Sequence, residues 1–209
     1  GSLQRFRDAV ENGWPHKIEI EEHSHAGMAA RYVAGASGLP FGVLRGYAGT
    51  DLVEQSSSIK TIKCPFTGED LTAVPAINPD VTFIHAQRAD KNGNVQLWGL
   101  LGVQREAVLA AKASIVTVEE IVDELSPIAG SIVLPSWVVS AVCCVPNGAH
   151  PSYASGYSER DNAFYKAWDD IAKDRELFLE WISQHIIGTA DFAQYCDSVG
   201  LGRLVVAGE

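Results

Sequence analysis

Three stretches of this chain put chemically able side chains where the backbone is expected to turn. The first is His85-Ala86-Gln87, which follows the apolar run Val81 to Ile84. In an open parallel sheet the carboxyl ends of strands line the ligand crevice, so His85 and Gln87 are placed to contact a substrate. The alternative is that both only hydrogen-bond neighbouring loops. The second stretch is Pro146-Asn147-Gly148-Ala149-His150-Pro151-Ser152, after the apolar run Trp137 to Val145. Asn147-Gly148 permits a sharp turn with its backbone close to a ligand, Pro151 restricts His150 to an extended form, and Ser152 adds a hydroxyl. His150 reads either as a substrate or partner contact or as part of a capped turn. The third stretch is Glu21-Glu22-His23-Ser24-His25. A carboxylate with an imidazole nearby can act as nucleophile or general base, which makes Glu22, Glu21 and His25 the candidate catalytic groups. Alternatively, the acids complement the exposed N–H groups of a following helix.

Elements must hold these groups in place. Val81 to Ile84, then the turn residues Asn92-Gly93-Asn94, then Val95 to Trp98, read as strand, polar tip, tight turn, strand. If that first strand and Trp137 to Val145 are parallel, the two histidine-bearing loops leave one edge of the sheet and frame one pocket. Lys17 to Glu21 alternates charged and β-branched residues and predicts a strand; Ala26 to Ser37 predicts a helix of small residues N-capped by Ser24. A further helix is expected over Leu3 to Glu11, stopped by Asn12-Gly13. Leu39 to Arg45 predicts a strand, Ile59 to Pro65 and Leu71 to Ala76 a hairpin, and Val103 to Ala111 a helix. Ser114 to Val118 predicts a buried strand ending in Glu119 and Glu120, with a helix-like piece then leading to Pro127. Ser131 to Pro135 predicts another strand, and the almost wholly apolar Trp137 to Val145 a central one. Phe164, Trp168, Ile171, Phe178, Ile182 and Ile186 share one helical face in the tail, broken by Gly188 before a second helix to Val199. The alternation predicts an α/β layered fold with a mainly parallel sheet. It also suggests a single domain over residues 1–209, with 158–199 as a helical part.

Composition narrows the partners. A formal net charge of -10 argues against nucleic acid or an anionic membrane surface, because both require a basic face. No apolar stretch approaches the roughly 18 residues of a membrane span, and the start carries no signal-peptide core, so a cytoplasmic protein is expected. The cysteines Cys64, Cys143, Cys144 and Cys196 lack CxxC or Cys/His ligand spacing, and are expected to be reduced, with no metal site. The polar loop Gly46 to Ser58 has neither P-loop nor GxGxxG spacing; its length suggests a lid or an interface segment.

Several pieces, in order along the chain, resemble the α subunit of family I CoA-transferases, nearest the glutaconate CoA-transferase type. They are RFRDAVENG (Arg5 to Gly13), GLPF (Gly38 to Phe41), AVPAINPDVTFIHAQRADKNGNVQLWG (Ala73 to Gly99), SIVTVEEIV (Ser114 to Val122) and PNGAHPS with the following GY and DN (Pro146 to Asn162). The resemblance implies a CoA-transferase-like α/β fold and an enzyme of α and β subunits. It implies ping-pong exchange of coenzyme A, a co-substrate rather than a tightly bound cofactor, between an acyl-CoA and a carboxylic acid. In that chemistry a glutamate attacks the thioester, and in the glutaconate type it belongs to the β subunit, so no residue of this chain takes the role. The family's glycine-rich N-terminal sequence is missing, so the expectation is that a separate piece supplies those strands or that the sequence is a cut one. A related steroid-degrading group with this fold hydrolyses a cyclic β-keto CoA ester, using an acid near the Glu21-Glu22 junction. That hydrolase is the alternative reading, and a non-catalytic binding subunit is the third.

Overall fold

Cap residues written into the sequence fix the first helices of the computed structural model, which describes residues 3–201. Helix α1 (Gln4–Asn12) stops at Gly13, whose φ of 68° is the left-handed conformation that lets its N–H reach back to the Asp8 carbonyl. Helix α2 (His25–Ala36) starts at Ser24, whose hydroxyl accepts the Gly27 N–H at 3.1 Å. Small residues let α2 approach its neighbours closely. A Cβ added at Gly35 would lie 2.1 Å from the Ile77 carbonyl oxygen.

After α2 come β1 (Phe41–Leu44), the short helix α3 (Leu52–Gln55), β2 (Lys60–Lys63) and β3 (Asp70–Pro75). The three strands form an antiparallel sheet in the order β1-β3-β2, with Tyr47, Ile59 and Val74 buried beneath it. The expected hairpin over 59–76 is therefore present.

A second sheet is built from β4 (Val81–Asp90), β5 (Val95–Leu97), β6 (Ala113–Val122), β7 (Ile132–Leu134) and β8 (Ala141–Cys144), in the order β7-β5-β4-β6-β8. Strands β4, β6 and β8 run parallel, while β5 and β7 extend the sheet antiparallel from β4. Helix α4 (Gln104–Ala110) supplies the crossover that parallel neighbours β4 and β6 require. Val116 and Val118 on β6 are 0% exposed and pack with Ala86, Leu97, Val108 and Leu134. Full burial of each such side chain contributes about 1.5–3 kcal/mol. The α/β fold with a parallel centre is the expected one.

Four local expectations are corrected. Residues 17–21 form no strand, since none of them enters either ladder. Strand β4 does not stop at His85 but continues to Asp90, level with Val122 of β6. Its polar residues stay in the sheet because each has a partner there: the Gln87 amide donates to the Trp98 carbonyl at 3.0 Å and Arg88 pairs with Glu120 at 3.1 Å. Residues 123–127 are not helical. The apolar run 137–145 is divided between a 3-10 turn (Ser136–Val138) and β8, and β8 lies at an edge with Ala141, Cys143 and Cys144 exposed. All four cysteines are free.

By packing, the chain divides into two compact units: residues 20–149 with 153–159, and residues 1–19 with 150–152 and 160–209. In the second of these, α1 packs on α5 (Asn162–Lys173), which is followed by α6 (Arg175–Ile182), a π turn (Ser183–Ile187) and α7 (Phe192–Ser198). Asp161 N-caps α5 through the Phe164 N–H, and Asp174 begins a new helix where one continuous helix was expected. Phe164, Trp168, Phe178 and Trp181 interlock edge-to-face and stacked, at centroid distances of 4.9–6.0 Å.

Candidate functional site

The register of the parallel strands decides which polar groups meet. His85 of β4 is level with Thr117 of β6, which is level with Cys143 of β8. Strand β8 ends at Cys144, level with Val118, so Glu119 lies one residue past the last strand neighbour on that side. The Val145 N–H makes the final rung to the Val118 carbonyl at 2.7 Å, and the chain then folds over Glu119. Asn147 donates its backbone N–H to Glu119 Oε2 at 2.6 Å, and His85 Nε2 lies 2.9 Å from Glu119 Oε1. The other imidazole nitrogen, Nδ1, lies 2.9 Å from the Thr117 hydroxyl. Both ring nitrogens of His85 are thus engaged.

The turn is held to close tolerances. Asn147 adopts φ 59°, a left-handed conformation unusual for a residue with a side chain. Gly148 packs on the imidazole so tightly that a Cβ there would lie 2.9 Å from His85 Cε1 and Nδ1 and 2.8 Å from the Val145 carbonyl oxygen. The Glu119 side chain is 3% exposed. A carboxylate so buried requires donors, and the imidazole and the Asn147 N–H supply them.

The structure therefore brings three of the sequence-chosen residues, His85, Asn147 and Gly148, around a carboxylate that sequence reasoning treated only as the end of a strand. The signal was present: an acid inside an apolar strand. Its partner was invisible without the register. Gln87 is 7% exposed, and its amide both donates to the Trp98 carbonyl and accepts the Trp98 N–H, which ties β4 to the segment after β5. His150 and Ser152 belong to the helical unit. There His150 meets the Tyr195 hydroxyl through Nδ1 at 3.1 Å and Asp161 through Nε2 at 3.3 Å, and packs edge-on to Phe164; Ser152 is exposed. The Phe164 N–H, and then His150, hold the Asp161 carboxyl below its usual range.

The acids at the start of α2 form a separate cluster. Glu21 faces His23 Nε2 at 2.9 Å and accepts from Arg31 at 3.2 Å. His23 Nδ1 lies 3.2 Å from the hydroxyl of Tyr47, which also accepts the Ser24 N–H at 2.9 Å. The hydroxyl of Ser58 and the imidazole of His23 hold the Glu21 carboxyl at about 2. A group that acidic is a stable anion and a poor proton acceptor near neutral pH. Glu22 and His25 are exposed. On the far side of β4 and β6, Tyr157 donates to Glu120 at 2.6 Å and Arg88 lies over the rings of Trp98 and Tyr157. Among the described residues no group of three or more His, Cys, Asp or Glu side chains is arranged to hold a metal ion, and no helix is long and apolar enough to cross a membrane.

Comparison with known proteins gives the class. Residues 4–144 match the family described as Coenzyme A transferase. The chain is 64% identical over 203 residues to the α-type subunit of the 3-oxoadipate CoA-transferase of Pseudomonas knackmussii, covering 97% of this chain and 72% of that protein. The crystal structure of glutaconate coenzyme A-transferase from Acidaminococcus fermentans superposes with a TM-score of 0.84 at 31% identity, over 94% of this chain and 67% of that one. A weaker match, 26% identical over 187 residues, is the cholesterol ring-cleaving hydrolase IpdA subunit of Rhodococcus jostii, covering 84% of this chain and 63% of that protein. The chain belongs to the coenzyme A transferase family, on the α side of the enzyme. Its activity is transfer of coenzyme A between an acyl-CoA and an acid, within an enzyme of more than one kind of subunit.

Proposed function

We infer that this chain works with a β subunit to exchange coenzyme A between an acyl-CoA and a dicarboxylic acid of the 3-oxoadipate class. The observation that carries this reading is the 64% identity to an α-type subunit of that specificity. In the reaction, a glutamate carboxylate of the β subunit first attacks the thioester carbonyl and the CoA thiolate leaves, giving an acyl-glutamyl anhydride. The thiolate then attacks the glutamyl carbonyl, releasing the first acid and leaving glutamyl-CoA. The second acid runs these steps in reverse. A carboxylate is a weak nucleophile, so positioning and desolvation must supply much of the rate. This chain's part is to present the turn 146–149 to the acyl group, with Asn147 and Gly148 as contacts and His85 behind them; Ser152 and His150 remain proposed contacts of the second unit.

The test is co-purification of this chain with its β subunit, followed by assay with a panel of acyl-CoA donors and 3-oxoadipate. Transfer, together with a hydroxylamine-sensitive glutamyl-CoA adduct on the β subunit, supports the reading. Hydrolysis of CoA esters without transfer, or no adduct, overturns it.

A further inference from the structure

Resting on that functional reading, we propose that Glu119 is a positioning residue of the transfer reaction. Its carboxylate fixes the His85 imidazole and the strained turn at Asn147 in one arrangement, and so sets the surface that meets the acyl group. Three observations converge. The carboxylate is nearly inaccessible, at 3% exposure, and each of its oxygens has one donor, His85 Nε2 at 2.9 Å and the Asn147 N–H at 2.6 Å. The peptide it grips is the one that carries a positive φ on a non-glycine residue, a conformation that persists only when the surroundings over-determine it. The imidazole it orients is in van der Waals contact with Gly148, so ring and turn can move only together. The location, at the carboxyl ends of parallel strands, is where open α/β sheets hold ligands.

Proton placement makes the assignment specific. With Glu119 ionised, His85 donates from Nε2–H, and Nδ1 can accept from the Thr117 hydroxyl. A glutamine at 119 can still satisfy every partner: its oxygen accepts the Asn147 N–H and its NH2 donates to a His85 tautomer protonated at Nδ1, while the Thr117 hydroxyl turns to the Ile84 carbonyl 3.4 Å away. Alanine satisfies none of them. The two substitutions therefore separate geometry from charge.

The experiment measures kcat and KM of the assembled two-subunit enzyme for wild type, Glu119→Ala, Glu119→Gln and Gly148→Ala, per mole of complex isolated by gel filtration. Glu119→Ala is expected to lower kcat by about 100-fold with KM for the acyl-CoA little changed, the cost of about 1 Å of misplacement. Glu119→Gln should recover most of that loss, and Gly148→Ala, which displaces the imidazole with Glu119 intact, should lower kcat in the same way. Wild-type kcat in assembled Glu119→Ala overturns the proposal. If Glu119→Ala does not assemble, the other two variants decide: loss in Gly148→Ala with recovery in Glu119→Gln supports it, and wild-type kcat in Gly148→Ala overturns it. Since every variant is read against an active wild-type complex, failure here is distinct from failure of the functional reading, which would silence the wild type itself.

Discussion

Gly27 and Tyr47 occupy one another's space: a Cβ on Gly27 would lie 1.7 Å from the Tyr47 hydroxyl oxygen. That hydroxyl accepts the Ser24 N–H and faces His23, so a single absent methyl group secures the start of α2, the loop after β1 and the Glu21 cluster. The ring is 7% exposed and has no room to retreat. Gly27→Ala should therefore cost about 1–3 kcal/mol, the usual penalty of overpacking. Urea unfolding would show a lower midpoint; an unchanged midpoint would mean that the tyrosine can move aside freely.

Leu97 on the central hairpin is 1% exposed and sits in the main apolar cluster. Leu97→Ala should destabilise the fold by about 2–5 kcal/mol, through lost transfer free energy and the cavity left behind. Equilibrium denaturation of the isolated chain would measure it, and a loss below about 1 kcal/mol would contradict the packing described.

Asp8 and Arg175, 167 residues apart, form a two-point ion pair at 2.8 and 2.7 Å. Arg175, with Asn12 second, brings the Asp8 carboxyl from 3.8 down to about 2. A group with its folded pKa depressed contributes stability that is complete above the unfolded value and disappears as pH falls through the folded one. The helical unit should accordingly lose stability between pH 3.8 and about 2. Asp8→Asn should be less stable near neutrality yet show a flatter acid limb in denaturation midpoints taken across that window. Parallel acid limbs for the two proteins would exclude this linkage.

Burial, and then the carboxylate of Glu120, push the Tyr157 phenol up to about 12. Below about pH 11 it should stay protonated while ordinary tyrosines ionise. Tyr157→Phe is thus expected to leave the phenolate absorbance change up to that pH the same as wild type. A deficit of one tyrosine would show that the phenol titrates normally.

Where local chemistry sufficed, the sequence spoke clearly. Ser24, Gly13 and Asp161 cap the helices they were expected to cap or stop, or lie at the start of one, and Asn92-Gly93-Asn94 makes the β4–β5 turn. Where long-range pairing decides, it did not. Lys17 to Glu21 alternates like a strand but has no strand beside it, because alternation describes one face and says nothing of a neighbour. His85 and Gln87 looked like a polar tip because polarity commonly ends a strand, whereas here an equally long β6 keeps the ladder going. Glu119 escaped notice for the same reason: its significance lies in facing a residue 34 positions earlier and a peptide 28 positions later.

The route of the chain through its two units has a practical consequence. Helix α1 stands at one terminus, yet the helix it packs against, α5, begins only at Asn162, and the segment 150–152 joins them from a third place. No single cut releases the helical unit whole: a fragment ending at residue 149 strands α1 without its mate, and one beginning at 160 lacks Asp8 for Arg175. Dissection of this protein therefore calls for circular permutation rather than truncation.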